Sequence, residues 1–125
     1  MLSARTADWS AAEANPLATR DREEEMALAE RLTDAEIQAA LATVPEWRLE
    51  EKTIGRRYRF GSFMDAVGFV NRVAEVAERR NHHPFISLDY KVVTLRLTSW
   101  HAGGLTQADF DEAAEFDRLY EGMRN

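Results

Sequence analysis

The chain contains no cysteine. That excludes disulfide staples, thiolate metal sites and a cysteine nucleophile, and it is compatible with a reducing cytoplasm. Positive charge is also short: 16 Lys and Arg stand against 22 Asp and Glu, for a net charge of -6 and a pI of about 5.1. A nucleic-acid footprint needs a basic patch, so no nucleic-acid partner is expected. No apolar run reaches the length of a bilayer span, so no membrane partner is expected either. The first 26 residues, MLSARTADWSAAEANPLATRDREEEM, have no apolar segment and an acidic balance, unlike a secretory signal. Histidine is as sparse as proline, with three of each. Two of the histidines are nevertheless adjacent, in ERRNHHPFISLDY (78–90), just before Pro84.

What is present is an ordinary globular balance, 45% apolar and 30% charged. A length of 125 residues predicts one domain, with room for a tail. Residues 1–20 carry Ala, Ser, Thr and Asn with Pro16 and no sustained period, which reads as the tail. Residues 20–32 are rich in Glu, Ala, Leu and Arg and read as a helix. The division expected is an N-terminal extension over 1–32, partly disordered or helical, and a folded domain over 33–123.

From Thr33 the local signals sharpen. Thr33 with Glu36 predicts a capping box, in which each side chain satisfies an amide at the helix start. Ile37, Ala40 and Leu41 give that helix an apolar face, and Pro45 ends it. Residues 47–60 predict two strands about the connection EEKT, with Arg57 and Arg59 facing away from Tyr58 and Phe60. The segment RRYRF reads as an exposed strand edge guarded by charge. The best-marked helix is 62–80. Ser62 and Asp65 cap it, and Phe63, Ala66, Val67, Val70, Val73, Ala74 and Ala77 form one stripe. A hairpin is predicted over 85–100, its second strand half-buried through Val93, Leu95 and Leu97, with Tyr90 packing at the turn. The turn HAGG leads to a last helix over 106–123, where Thr106 and Asp109 repeat the capping pattern. Phe110, Ala113, Ala114, Asp117 and Leu119 form its stripe, widened by Phe116 and Tyr120. This order predicts an α+β fold, a four-stranded antiparallel sheet with helices on one face.

His82 and His83 stand where the helix must stop. The negative end of its dipole favours imidazolium. Glu78 lies four residues before His82, a spacing that lets the two side chains meet and orients the ring for proton transfer. Trp100 shares the parity of Thr94, Arg96 and Thr98, so a regular strand turns it away from the core, toward a subunit or a flat ligand. Taken alone, each feature has a plainer reading. The histidines could be solvated cap residues, Asp109 a cap, and Glu78 a solvated partner of a nearby arginine. Three histidines could hold zinc, but adjacent ones rarely aim at one ion, and no metal is expected.

The spaced string Glu78, His82-His83-Pro84, Tyr90, Trp100, Asp109, with AGGLTQADF (102–110), resembles the pterin-4a-carbinolamine dehydratase family. The resemblance spans residues 33–121. It implies the four-stranded sheet with helices on one side, in homodimers or homotetramers. It also implies dehydration of a 4a-hydroxytetrahydropterin to the quinonoid dihydropterin, in recycling of the tetrahydropterin. By the same resemblance His82 and His83 are catalytic, while Glu78, Pro84, Trp100, His101 and Asp109 form the pterin site, with no cofactor and a cytoplasmic location. Most members carry a third histidine at the strand end, where this chain has Trp100, a residue the family pattern also admits. Two histidines then suffice, or His101 swings into the position through a bulge, or activity is weak. The alternative function is a non-catalytic binding or assembly protein on the same fold, like the members that serve as transcription cofactors or resemble Rubisco assembly factors. MALAERLTDAEIQAAL, from Met26, has the form of a chain start in this family, which makes residues 1–25 an extension or a product of start-site choice. Exposed Phe116 and Tyr120 are expected to support the oligomer.

Overall fold

A computed structural model of the chain describes residues 16–124. The tail expected over 1–20 lies, up to residue 15, outside the described residues. Helix α1 (Pro16–Glu30) begins earlier than predicted, on a proline whose fixed φ suits a first helical turn. Then follow α2 (Asp34–Leu41), β1 (Arg48–Glu50), β2 (Thr53–Arg59), α3 (Phe63–Arg80), β3 (Phe85–Asp89), β4 (Val92–Leu97), a short 3-10 turn (Trp100–Ala102) and α4 (Gln107–Arg124). Among the described residues no helix is long and apolar enough to cross a membrane.

The strands form one antiparallel sheet in the order β1-β2-β4-β3. Tyr58 stands opposite Val93, Ile54 opposite Leu97, and Leu88 opposite Val93. One face therefore presents Ile54, Tyr58, Val93, Leu95 and Leu97, all buried, and α3 and α4 cover it. The opposite face carries Arg57, Thr94, Arg96 and Ser87 and is left to solvent. β1 pairs with β2 only over Thr53–Gly55, while β4 pairs with Ile54–Arg59. The RRYR part of RRYRF therefore has a strand on one side only among the described residues, an edge as expected, and the rims of the sheet are β1, this half of β2, and β3.

The capping grammar holds where it is local. Thr33 and Glu36 make both bonds of the box, and the Ser62 hydroxyl accepts from the Asp65 amide at 3.0 Å. The stripe of α3 differs from the predicted one. Ala66, Phe69, Val73, Val76 and Ala77 are buried, whereas Phe63 and Ala74 are exposed. The helix is rotated so that Phe69 can meet Tyr58, with ring centroids 4.7 Å apart. Phe116 and Tyr120 are not exposed either. Both lie in the core of this chain. Tyr120 packs edge-on against Tyr58 and Phe60, and its hydroxyl donates to the Arg59 carbonyl at 2.8 Å. The helix turns this wide aromatic face to the sheet, so it supports no subunit contact.

Asp117 fastens α4 to the sheet. Its Oδ1 accepts from Trp47 Nε1 at 2.9 Å, Arg56 Nη1 at 2.7 Å and the Tyr58 hydroxyl at 2.5 Å. Burial, with Asp117 adding to it, holds the Tyr58 proton far above the usual phenol range. Arg56 also lies over the Tyr58 ring, 4.3 Å from its centroid, which gives this inward-facing arginine an aromatic and an ionic partner. Removing the carboxylate strands three donors in a mostly desolvated place. Asp117→Ala should therefore lower stability by about 3 kcal/mol in urea unfolding. A loss too small to resolve would mean that the three donors find other partners.

Candidate functional site

The site is assembled where three chain segments end together. The first is the C-terminus of α3. Its cap, Asn81, adopts the left-handed conformation (φ 50, ψ 43), which asparagine tolerates better than most residues. Pro84 then bars any return to helix before β3. The second is the end of β4, where Ser99 leads into the 3-10 turn. Gly103 closes that turn at φ 72, and a Cβ on Gly104 would come within 3.0 Å of the Arg31 side chain. The third is the start of α4.

Asp109, fully buried, joins the three. Its Oδ1 lies 2.6 Å from His82 Nε2. Its Oδ2 accepts from the Ser99 hydroxyl at 2.8 Å and from the Thr106 amide at 2.9 Å. Ser99 and Thr106 hydroxyls are themselves paired at 2.9 Å. The cap and site roles of Asp109 are therefore one arrangement: the same carboxyl closes the helix start and holds the imidazole. With Nε2 directed at Asp109, His82 Nδ1 is the ring atom left for a ligand.

The predicted meeting of Glu78 with His82 does not occur. Glu78 instead reaches His83, Oε2 to Nε2 at 2.6 Å, near the surface. The left-handed turn at Asn81 breaks the helical i,i+4 relation, so the glutamate meets the second histidine and the first turns inward to α4. His101 is not brought to the pair. Its Nε2 lies 3.3 Å from Glu30 of α1, on an exposed surface, because the 3-10 turn sends it away from Trp100. Tyr90 is an exposed left-handed turn residue (φ 55) at the far end of the hairpin, neither packed nor near the histidines. Trp100 is 75% exposed, but through the 3-10 turn and not through strand parity, since β4 ends at Leu97 and Thr98, of the same parity, is buried; Phe85 meets Trp100 edge-on with centroids 6.4 Å apart. Trp100 also borders a cleft of about 410 Å³ lined by Lys52, Thr53, Thr98 and Gly103. The middle of α4 is clamped to the end of α3 by Glu115. It accepts from Arg80 Nε at 2.7 Å and pairs with Arg79. Burial pushes its carboxyl up, but the two arginines outweigh this and hold it below the usual range.

One residue of this neighbourhood escaped the sequence reading. Glu112 follows Asp109 by one turn, is fully buried, and has no hydrogen-bond partner for either oxygen among the described residues. Only its place on the buried stripe of α4, between Asp109 and Phe116, could have flagged it. Burial pushes its carboxyl up to about 7, against the pull of His82 and Arg80.

The matching family model, pterin 4 alpha carbinolamine dehydratase, covers residues 30–119. A protein of Picosynechococcus sp. is 51% identical over 92 residues, which are 74% of this chain and all of that one. A protein of Chloroflexus aurantiacus is 46% identical over 89 residues, 71% of this chain and 96% of that one. Both bear the name pterin-4-alpha-carbinolamine dehydratase provisionally. Among solved structures, a transcriptional coactivator/pterin dehydratase from Brucella melitensis superposes with a TM-score of 0.70 at 29% identity, over 72% of this chain and 98% of that one. A pterin dehydratase-like protein described as a RuBisCO assembly factor in the alpha-carboxysome gives 0.53 at 26% identity, over 60% and 89%.

The folded-state carboxyl of Glu112 titrates above its ordinary value of 4.5. The unfolded chain therefore binds fewer protons than the folded one between about pH 4.5 and 7, and stability falls as pH rises through that window. Glu112→Leu should gain on wild type by roughly 3 kcal/mol from the low to the high end of it. Urea unfolding at pH 4.5 and 7.5 measures this. An equal difference at both pH values would contradict a carboxyl held neutral by burial.

Proposed function

The chain belongs to the pterin 4 alpha carbinolamine dehydratase family, and from that premise we propose that it removes water from a 4a-hydroxytetrahydropterin, with His82 and His83 sharing the acid and base work. The observation that carries the reading is the inward turn of His82 onto the buried Asp109, beside a solvent-facing His83. Dehydration breaks the C4a–O bond and the N5–H bond and forms the C4a=N5 double bond. The leaving hydroxyl needs a proton, and the N5 proton needs an acceptor. His82 presents Nδ1 for the N5 proton, and Asp109 stabilises the imidazolium that results, the role a buried carboxylate has beside an imidazole base. His83, half-exposed at the mouth, gives a proton to the hydroxyl and regains one from solvent. Trp100 donates through its indole but cannot act as a base. Its role here is a flat face on which the pterin ring stacks, with Phe85 standing edge-on beside it. His101 has no part in it. The product is the quinonoid dihydropterin, and no cofactor enters the reaction. Residues 33–123 form the catalytic domain and residues 1–32 an extension, the protein acts in the cytoplasm, and it works as a homodimer or homotetramer.

Trp100 supports a second reading, in which the chain has left catalysis and binds a protein partner, as the related assembly factor does. Dehydration of a freshly generated 4a-hydroxytetrahydropterin, measured against the spontaneous rate, separates the two. Wild type should accelerate it. His82→Gln and His83→Gln should each cost about a hundredfold in kcat/KM, the lower end of what positioned acid–base groups contribute. Asp109→Asn should share much of the His82 loss, and His101→Gln should leave the rate near wild type. A rate no faster than background would favour the assembly reading.

A further inference from the structure

Two surfaces remain without a partner, and their charges are opposite. The first is the open face of the sheet. Strand alternation places Arg48, Arg57, Arg59 and Arg96 there, all exposed, against the carboxylates of Glu50 and Asp89. Among the described residues Arg48, Arg57 and Arg59 join no ion pair, and Arg96 reaches Glu50 at 3.4 Å. Two hollows meet over Arg57, Thr94 and Arg96: one of about 500 Å³ runs to Arg48, the other of about 390 Å³ to Asp89. Gly55 forms part of the floor, where a Cβ would stand 3.3 Å from the Arg96 side chain. This is a basic trough on a chain of net charge -6. The second surface is α1. From Arg22 to Glu30 every residue except Ala27 is exposed, including Glu23, Glu24, Glu25, Met26 and Leu28. Only its C-terminal end is tied down, by the Leu32 amide on the Leu105 carbonyl at 2.9 Å and by Glu30 near His101. Helices owe most of their stability to the packing of one face, and this one packs little of any face.

We propose that two copies of this chain exchange these surfaces, α1 of each lying on the open sheet face of the other. Glu23, Glu24 and Glu25 supply the negative charge that Arg57, Arg59 and Arg96 lack in their own chain, and potentials of opposite sign fix the partner and its orientation. Met26 and Leu28 bring apolar surface to a face that carries exposed Phe85 and part-buried Val92. Within one chain α1 packs on the 3-10 turn and leaves the trough open. The contact is isologous: each copy donates one helix and receives one, so the assembly closes at two. This deepens the homo-oligomer of the proposed function by naming a contact for it, and it rests on that reading only for the existence of an oligomer. The dehydration step does not depend on it.

The lack of natural cysteine makes a cross-linking test specific. Full chains carrying Glu25→Cys are mixed with full chains carrying Arg57→Cys under mild oxidation, so that a mixed disulfide can form only between copies. Mass spectrometry reads the mixed product. Its yield should exceed about fivefold that of a control in which Asn71→Cys, exposed on α3, replaces Arg57→Cys. Raising the salt from about 50 mM to about 500 mM should lower the yield about fivefold, because exposed charges are screened. Arg96→Glu in the receiving chain should lower it in the same sense. A yield no greater than the control, or one indifferent to salt and to Arg96→Glu, overturns the proposal. Should Arg96→Glu fail to fold, the salt series decides alone. Sedimentation of the unaltered chain separates the two readings. An oligomer that gives no mixed product meets through another face, which overturns this contact and leaves the oligomer standing, whereas a monomer removes both.

Discussion

The site depends on one desolvated carboxyl. Asp109 is the common partner of the α4 amide at Thr106, the Ser99 hydroxyl after β4, and the imidazole of His82 after α3. Ser99 and Thr106 are near neighbours that also pair through their hydroxyls, whereas His82 comes from another part of the chain, 27 residues before Asp109. In a buried setting each such bond is stronger than in water, and an unmade one is expensive. The carboxyl therefore sets the position of three chain ends at once. The imidazole inherits its orientation from a helix cap.

Four of the six acidic residues of helix α4 sit in four different environments. Asp109 holds the site. Glu115, further along the helix than a capping rule reaches, takes both arginines at the end of α3 and so keeps the histidine loop against α4. Asp117 gathers the indole of Trp47, the guanidinium of Arg56 and the hydroxyl of Tyr58. Glu112 finds no partner among the described residues. An acidic helix of this kind reads at first as a solvated surface. In the fold most of its carboxyls are turned to specific donors, and the helix joins the sheet, the end of α3 and the site.

The two adjacent histidines end in unlike settings. The His82 side chain is 17% exposed and faces a fully buried carboxyl, whereas His83 is 53% exposed and its partner Glu78 is 79% exposed. A solvated ion pair contributes little energy, because water competes for both partners and both side chains lose freedom. The Asp109 contact is shielded from that competition. Asn81 makes the difference possible, since its left-handed turn separates the directions of neighbours that a helix would have kept on related faces.

Much of the architecture was legible in the sequence because its causes are local. The period of two in Val93, Leu95 and Leu97 reported a strand with one buried face. Thr33 with Glu36, and Ser62 with Asp65, marked helix starts through bonds that span three residues. Pro84 marked a helix end through its own ring. The spaced residues from Glu78 to Asp109 named the family, and they included both partners of the buried pair. What failed were statements about contacts between elements. The α3 stripe was shifted because Phe69, not Phe63, meets the sheet. Phe116 and Tyr120 lie in the core although nothing nearby in the chain shows it, since Tyr120 is received by Tyr58 and Phe60 of a distant strand. Glu78 meets His83 and not His82 because the i,i+4 relation holds only within a helix, and Asn81 ends it. His101 and Glu112 carry no local sign of where they point. The sequence alone determined the elements, their order and the residue types available for proton transfer, because hydrogen-bonding and steric rules act over a few residues. Which carboxyl meets which imidazole, and which is left unpartnered in the core, was decided by tertiary packing, because burial and long-range contact exist only once the helices close on the sheet.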